Sequence, residues 1–313
     1  MDRSPRPAPP DAPAAMPLRG IVAAAVTPVT VDLEIDVPRL VAHLGWLLAN
    51  GCDMVSVFGT TGEGPSFSVD ARCAALRAVV AAGIPPRRLL PAAMASAALE
   101  ARRLAEEATT LGCRAVLMLP PFYYPADSAG VARFLDVAMG PKPTIDMILY
   151  HIPALSRFAF DTELIARLRD RHGTRLAGIK DSTGDRAHTL ALARRFPEIA
   201  VFTGTDLDLL PLLAAGGAGI IGGIPNVNAP TLRTLIDAPA EHRADLEMRI
   251  GALFDAVVGF GGPMPIKTLV AYLHRDDAWL QAVPPISPQP ESDRAALIER
   301  FVSAGFAFEA GLR

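Results

Sequence analysis

Residues 145–181, IDMILYHIPALSRFAFDTELIARLRDRHGTRLAGIKD, hold two short apolar runs on either side of a longer helical segment. The runs at 145–150 and 176–180 are rich in branched residues and too short for helices, which predicts strands. Asp161 between them is placed as the N-cap of the intervening helix, where a carboxylate accepts from free backbone N–H groups. Strand, helix and strand in that order make a βα unit.

The same rhythm extends in both directions. Further strands are predicted near 21–27, 53–58, 89–94, 115–119, 200–203 and 219–222, with helices beginning near Val37, Val69, Ala97, Ser128, Gly184 and Asp206. Ser68 is a second candidate N-cap, and Pro38 sits in a first turn, where its missing N–H costs nothing. Eight parallel strands alternating with helices predict an α/β fold, a closed (β/α)8 TIM barrel. An open doubly wound sheet more often carries G-x-G-x-x-G after its first strand, and VTPVTVD at 26–32 has nothing of the kind. Beyond about residue 230 the rhythm stops, and helices are expected at 240–258, 266–274 and 292–306. The expected organisation is a Pro-rich tail at 1–17, a barrel at 18–235 and a C-terminal helical appendage at 236–313. The appendage either caps the barrel or supplies a subunit interface.

Composition narrows the function. Half of the 313 residues are hydrophobic, 20% are charged and the net charge is −3. That excludes a disordered chain and any broad basic surface for nucleic acid. Three cysteines, Cys52, Cys73 and Cys113, show no metal spacing and read as buried apolar residues in a reducing compartment. The first 17 residues hold six prolines and no apolar run, which predicts a disordered tail rather than a secretory signal. Residues 209–232 carry no charge, but five glycines, three prolines and two asparagines divide them into a short helix, a strand and a loop. A soluble, cytoplasmic protein that uses no membrane is expected.

In a barrel of this kind chemistry sits where strands end. Only three of the 30 basic residues are lysines: Lys142, Lys180 and Lys267. An amine can lose its proton and attack a carbonyl carbon, which a guanidinium cannot. Lys142 lies between two prolines and reads as solvated, and Lys267 starts a C-terminal helix and reads as structural. Lys180 closes an apolar strand, where burial would lower its pKa and free the amine. It is either a Schiff-base nucleophile or a side chain snorkelling at the rim. Of four tyrosines, Tyr123, Tyr124 and Tyr150 stand at strand ends, and Tyr150 precedes Lys180 by one βα unit. A phenol beside the amine can shuttle protons. Gly59-Thr60-Thr61-Gly62 predicts a nest of backbone N–H groups suited to a carboxylate, and 216–223 a possible phosphate site. Pro28, Pro120, Pro121, Pro125, Pro153 and Pro225 all fall just after strands, whose ladders proline cannot continue.

With these residues assembled, the chain resembles the dihydrodipicolinate synthase / N-acetylneuraminate lyase family of class I aldolases. The likeness runs from Gly20 to about Phe306. Its carriers are Val26-Thr27-Pro28, Gly59-Thr60-Thr61-Gly62-Glu63, Pro121-Phe122-Tyr123-Tyr124, Tyr150-His151-Ile152-Pro153, Gly178-Ile179-Lys180-Asp181 and Pro263-Met264-Pro265-Ile266-Lys267. The resemblance implies a Schiff base between Lys180 and a 2-oxo acid, typically pyruvate, with an aldehyde as the other reactant. It implies that Tyr150 is the general acid/base, that Thr60 relays protons to Tyr123, that Thr61 and Gly59 hold the substrate carboxylate, and that Ile221 lines the pyruvate pocket. It also implies a homotetramer built from dimers, with Tyr123 acting across a subunit boundary, and neither metal nor organic cofactor.

Departures from the family pattern bear on the substrate. Dihydrodipicolinate synthases usually carry Arg five residues after the strand-5 tyrosine; here that position is Leu155, and the run Pro153-Ala154-Leu155-Ser156 resembles the sialic acid lyase branch. His151 stands where the family mostly has Asn. The expectation is therefore an aldolase or lyase acting on a 2-oxo-3-deoxy sugar acid or related hydroxy-oxo acid. The alternatives are a synthase condensing pyruvate with aspartate semialdehyde and a 2-oxo-acid dehydratase. Rivals from other classes are a metal-dependent barrel using Glu63, His151, Asp181 and Asp206, and a non-catalytic binding relative.

Overall fold

The computed structural model describes residues 18–141 and 145–306. The expected tail at 1–17 and Lys142 lie outside the described residues. Strands β1 (Gly20–Ala24), β2 (Met54–Val57), β3 (Leu89–Ala93), β4 (Ala115–Met118), β5 (Asp146–His151), β6 (Leu176–Asp181), β7 (Ala200–Thr203) and β8 (Gly219–Gly222) pair in chain order and close into a barrel. Every ladder is parallel, including the closing one between β1 and β8. Two glycines make that seam: a Cβ on Gly219, at φ +146°, would sit 2.1 Å from the Gly20 carbonyl oxygen. Any side chain there would force the seam apart.

Strand alternation sorts the side chains into two cores. Val22, Met54, Leu90, Leu117, Ile148, Tyr150, Phe202 and Ile221 fill the lumen. Neighbours of opposite parity, such as Val55, Val116, Leu149, Ile179 and Val201, pack outward against the helices. Each aliphatic side chain so buried contributes roughly 1.5–3 kcal/mol.

The helical layer comprises α1 (Val37–Ala49), α2 (Val69–Ala81), α3 (Ala98–Thr110), α4 (Ser128–Met139), the short α5 (Pro153–Ser156), α6 (Thr162–His172), α7 (Arg186–Arg195), α8 (Leu209–Ala214) and α9 (Pro225–Asp237). Ser68 and Asp161 are N-caps as expected, their side-chain oxygens accepting from the Ala71 and Leu164 N–H groups at 3.1 and 2.7 Å. Each such cap contributes about 1 kcal/mol.

Two expectations need correction. The segment after β8 is helix α9, not a loop. Asparagine disfavours helices by competing for nearby backbone groups, but Asn226 and Asn228 spend their side chains on tertiary partners. The Asn226 amide donates to the Ala24 and Gly223 carbonyls, and that of Asn228 to Asp206. Secondly, 216–223 does not form one glycine-rich site. Gly216 and Gly217 terminate α8 at the opposite end of the barrel, and only Gly222 and Gly223 reach the face where strands end.

The C-terminal region is helical, with α10 (Arg243–Val258), α11 (Met264–His274) and α12 (Glu291–Ser303). Among the described residues no helix is long and apolar enough to cross a membrane.

Candidate active site

Lys180 is the fifth residue of β6, and alternation turns it into the lumen while Ile179 and Asp181 face the helices. It is 5% exposed. In the ladder it pairs with Tyr150 on one side and Phe202 on the other. Its Nζ lies 4.1 Å from the centre of the Tyr150 ring. An ammonium over an aromatic face is attracted by the ring quadrupole, which fixes the two groups together.

Tyr150 is itself buried, and its hydroxyl lies 3.2 Å from Thr60 Oγ1. Burial pushes the phenol up. The charge of Lys180 and hydrogen bonds from Thr60, Lys180 and Ser182 outweigh it and hold the phenol below its ordinary value. A phenol so placed gives up and recovers a proton more readily than a free tyrosine. Amine, phenol and threonine hydroxyl therefore form one connected line from β6 through β5 to the loop after β2.

That loop is tightly built. Phe58 and Glu63, both non-glycine, occupy left-handed conformations at φ +60° and +55°. Such strain persists only where surrounding contacts over-determine it. Here the Gly64 N–H donates to the Gly59 carbonyl and the Glu63 N–H to that of Thr60, while the Thr27 hydroxyl donates to the Gly62 carbonyl. Among the described residues neither the Thr60 nor the Thr61 N–H meets a protein acceptor. Two successive N–H groups without a protein acceptor can serve as a nest for a small anionic group.

The remaining expected residues fall in different places. Ile221 is fully buried in the lumen beside Tyr150 and Phe202. Gly59 is buried at the start of the nest. Tyr123 is 74% exposed, its ring edge-on to Tyr124 at 5.0 Å, and among the described residues it makes no hydrogen bond to Thr60. Leu155 is 55% exposed on α5 and packs into neither core.

Two groupings go beyond the sequence reading: the first joins His188 to His151 and Asp181, which that reading weighs as metal ligands, and the second pairs Lys267 with Glu63. One lies behind the lysine, outside the lumen: the buried Asp181 carboxylate faces His151 Nδ1 at 3.2 Å and His188 Nδ1 at 2.9 Å, and accepts from Thr189 at 2.7 Å. Burial pushes this carboxyl up, but hydrogen bonds from His151, His188 and Thr189 hold it down at about 2. His151, Asp181 and His188 offer ligand atoms within 4.8 Å of one another, so this is where the described residues could hold a cation. Of the acidic residues weighed for a metal-dependent barrel, Glu63 and Asp206 lie apart from it, the first paired with Lys267 and the second bonded to Asn228. The signal for the cluster was parity: residues 151 and 181 each follow a lumen residue and must face outward together. The other grouping is the Lys267–Glu63 pair, with both side chains 0% exposed. No periodicity connects residues so far apart in sequence.

Fold and site together define a lyase of the (β/α)8 barrel type, with a lysine and a phenol sharing one end of the barrel. The chain belongs to the dihydrodipicolinate synthetase family, whose model matches residues 17–302. An uncharacterized DapA-like lyase from Chloroflexus aurantiacus is 31% identical over 259 residues, 81% of this chain and 86% of that one. A 4-hydroxy-tetrahydrodipicolinate synthase from an Acidovorax species is 27% identical across 92% of this chain and 97% of its own. The crystal structure of a dihydrodipicolinate synthase from Agrobacterium tumefaciens is similar with a TM-score of 0.85 and 29% identity, covering 91% of this chain and 99% of that one. A 2-keto-3-deoxygluconate aldolase from Sulfolobus solfataricus shares the fold at 23% identity and a TM-score of 0.82.

Proposed function

We propose that this lyase forms an iminium between Lys180 and pyruvate, and makes or breaks a carbon–carbon bond to an aldehyde through the derived enamine. The observation that carries the reading is the line Lys180–Tyr150–Thr60, with Nζ 4.1 Å from the phenol ring centre and the phenol 3.2 Å from the threonine hydroxyl.

The chemistry follows from those groups. Once it has given up its proton, the Lys180 amine adds to the ketone carbon to give a carbinolamine, whose oxygen leaves as water with a proton delivered from Tyr150. The resulting iminium withdraws electrons from the adjacent carbon. In cleavage, the phenolate removes the proton of the substrate hydroxyl while the neighbouring C–C bond breaks, releasing an aldehyde and leaving an enamine. Protonation and hydrolysis return pyruvate and the free lysine. Condensation runs the same steps in reverse. Thr60 and Thr61 hold the 2-oxo acid carboxylate against their N–H groups, which orients the reacting carbon over Lys180. Ile221 supplies the apolar wall. None of these steps requires a metal or an organic cofactor.

The preferred substrate is a 2-oxo-3-deoxy sugar acid or a related hydroxy-oxo acid. Leu155 supports this: it offers no bidentate partner for a second carboxylate, which the aspartate semialdehyde reaction would bring. Condensation with that aldehyde is the second reading, favoured by the names of the relatives identical at 27–29%. Tyr123, exposed beside the site, is read as completing it from a partner copy in a homo-oligomer. The buried, free thiols of Cys52, Cys73 and Cys113 fit a cytoplasmic protein.

The decisive experiment is reduction with borohydride in the presence of pyruvate, followed by peptide mapping. A reduced pyruvyl adduct is expected on Lys180 and not in Lys180→Ala; its absence from the parent would defeat the reading. A panel of aldehydes and 2-oxo acids, assayed for pyruvate release or consumption, then orders the substrates. Faster turnover with aspartate semialdehyde than with any sugar acid would make condensation with that aldehyde the first reading instead.

A further inference from the structure

We propose that Lys267 and Glu63 are positioning residues for the substrate carboxylate, so that the C-terminal helical region sets the shape of the anion nest. The proposal rests on the reading that Thr60 and Thr61 receive the carboxylate of the 2-oxo acid.

Lys267 lies in the first turns of α11 and Glu63 in the loop after β2. Their charged atoms meet at 2.5 Å with both side chains fully buried. The pair is surrounded by further contacts that bind the two segments. The other Glu63 oxygen accepts from the Val283 N–H at 3.0 Å, and Lys267 Nζ donates to the Gln281 carbonyl at 2.7 Å. Val283 packs against Val29 and Phe67, the latter just beyond the nest in sequence. The segment 281–283 is thereby fastened to both partners of the ion pair.

The position of Glu63 gives these contacts their consequence. It follows Thr60 and Thr61 with only Gly62 between, and holds the left-handed conformation that turns the loop. A glutamate does not adopt that conformation by its own preference, since a side chain on the α-carbon is strained there. Phe58, at the other end of the loop, is strained in the same way. No lateral freedom is available next to it either, because a Cβ on Gly64 would lie 1.8 Å from the Phe58 carbonyl oxygen. The Thr60 and Thr61 N–H groups thus hang between two strained residues, and the tether from the C-terminal region keeps Glu63 in place. Burying two charges to fasten one loop is an expensive arrangement, and an apolar pair would serve packing equally well. Its use beside the nest indicates a requirement for fixed geometry.

The test separates positioning from general damage. Pyruvate and hydroxyacetone both carry a ketone for Lys180 to capture, but only pyruvate has the carboxylate. Borohydride trapping on Lys180 is measured against concentration of each ketone for the parent, Glu63→Gln and Lys267→Met. Glu63→Gln keeps the size of the side chain and an acceptor for the Val283 N–H, so it carries the test should Lys267→Met fail to fold. Expected is a rise of about tenfold or more in half-saturating pyruvate, with trapping of hydroxyacetone unchanged, because only the carboxylate contacts are displaced. Equal losses for both ketones, or no change for either, would overturn the proposal. No adduct in the parent protein would instead defeat the Schiff-base reading itself.

Discussion

Lys180 and Tyr150 occupy paired positions on neighbouring strands, and the lysine Nζ stands 4.1 Å from the centre of the tyrosine ring. Parallel pairing forces this proximity. Both residues point into the lumen because both share its parity, so neither depends on a flexible loop for its position.

Tyr150→Phe separates the two roles of that side chain. The ring stays against Lys180, while the hydroxyl that meets Thr60 at 3.2 Å is lost. Turnover should fall by about 10²–10⁴-fold, the usual share of general acid–base catalysis. A borohydride-trapped adduct should still form on Lys180, only more slowly. Retention of parental turnover would exclude the phenol as the proton carrier.

Thr60 is tested by two substitutions of opposite effect. Thr60→Val removes the hydroxyl that bonds the phenol and should raise the kinetic pKa assigned to Tyr150, since that bond helps to hold it low. Thr60→Ser restores the hydroxyl and should return the pH–rate profile toward the parent's. Identical profiles in all three proteins would remove Thr60 from the proton path.

Chelation addresses the cluster behind the lysine. An iminium mechanism supplies its own electron sink, so dialysis against a strong chelator should change turnover by less than about twofold. Loss of activity restored by a divalent cation, and abolished in His188→Ala, would place a working metal at His151, Asp181 and His188.

Acid stability follows from His43. The ring is fully buried, with Nδ1 2.9 Å from His274 and Nε2 2.9 Å from Asn226, and burial lowers its pKa to about 3. The folded protein refuses a proton that the unfolded chain accepts at about 6.5. The associated stability is complete above pH 6.5 and is lost as pH falls toward the folded value. By pH 5 the loss from this residue is on the order of 2 kcal/mol. Urea midpoints between pH 8 and 5 should therefore fall less steeply in His43→Gln than in the parent, whatever the variant's stability at pH 8. Parallel slopes would show that His43 does not carry the effect.

The sequence by itself determined the barrel, because its signals are local. Short branched runs such as 145–150 and 176–180 are strands, caps such as Asp161 are fixed by their own neighbours, and alternation assigns each side chain to lumen or helix layer. Lys180 and Tyr150 were legible for that reason, since each closes a strand at the same end of the barrel, whereas Ile221 was reached only through the family resemblance. Helix α9 was missed because residues such as Asn226, loop-forming locally, have their side chains engaged by distant partners.

Only the tertiary structure decided what surrounds that end. His188, near the start of α7, reaches His151 and Asp181 only once the helix has packed on the barrel, and Lys267 meets Glu63 across about two hundred residues of chain. The exposure of Tyr123 and Leu155 is likewise a property of how loops lie on the finished barrel. The physical reason is one of range: propensity and parity act within a few residues, whereas a buried charge finds its partner only after the whole chain has closed around it.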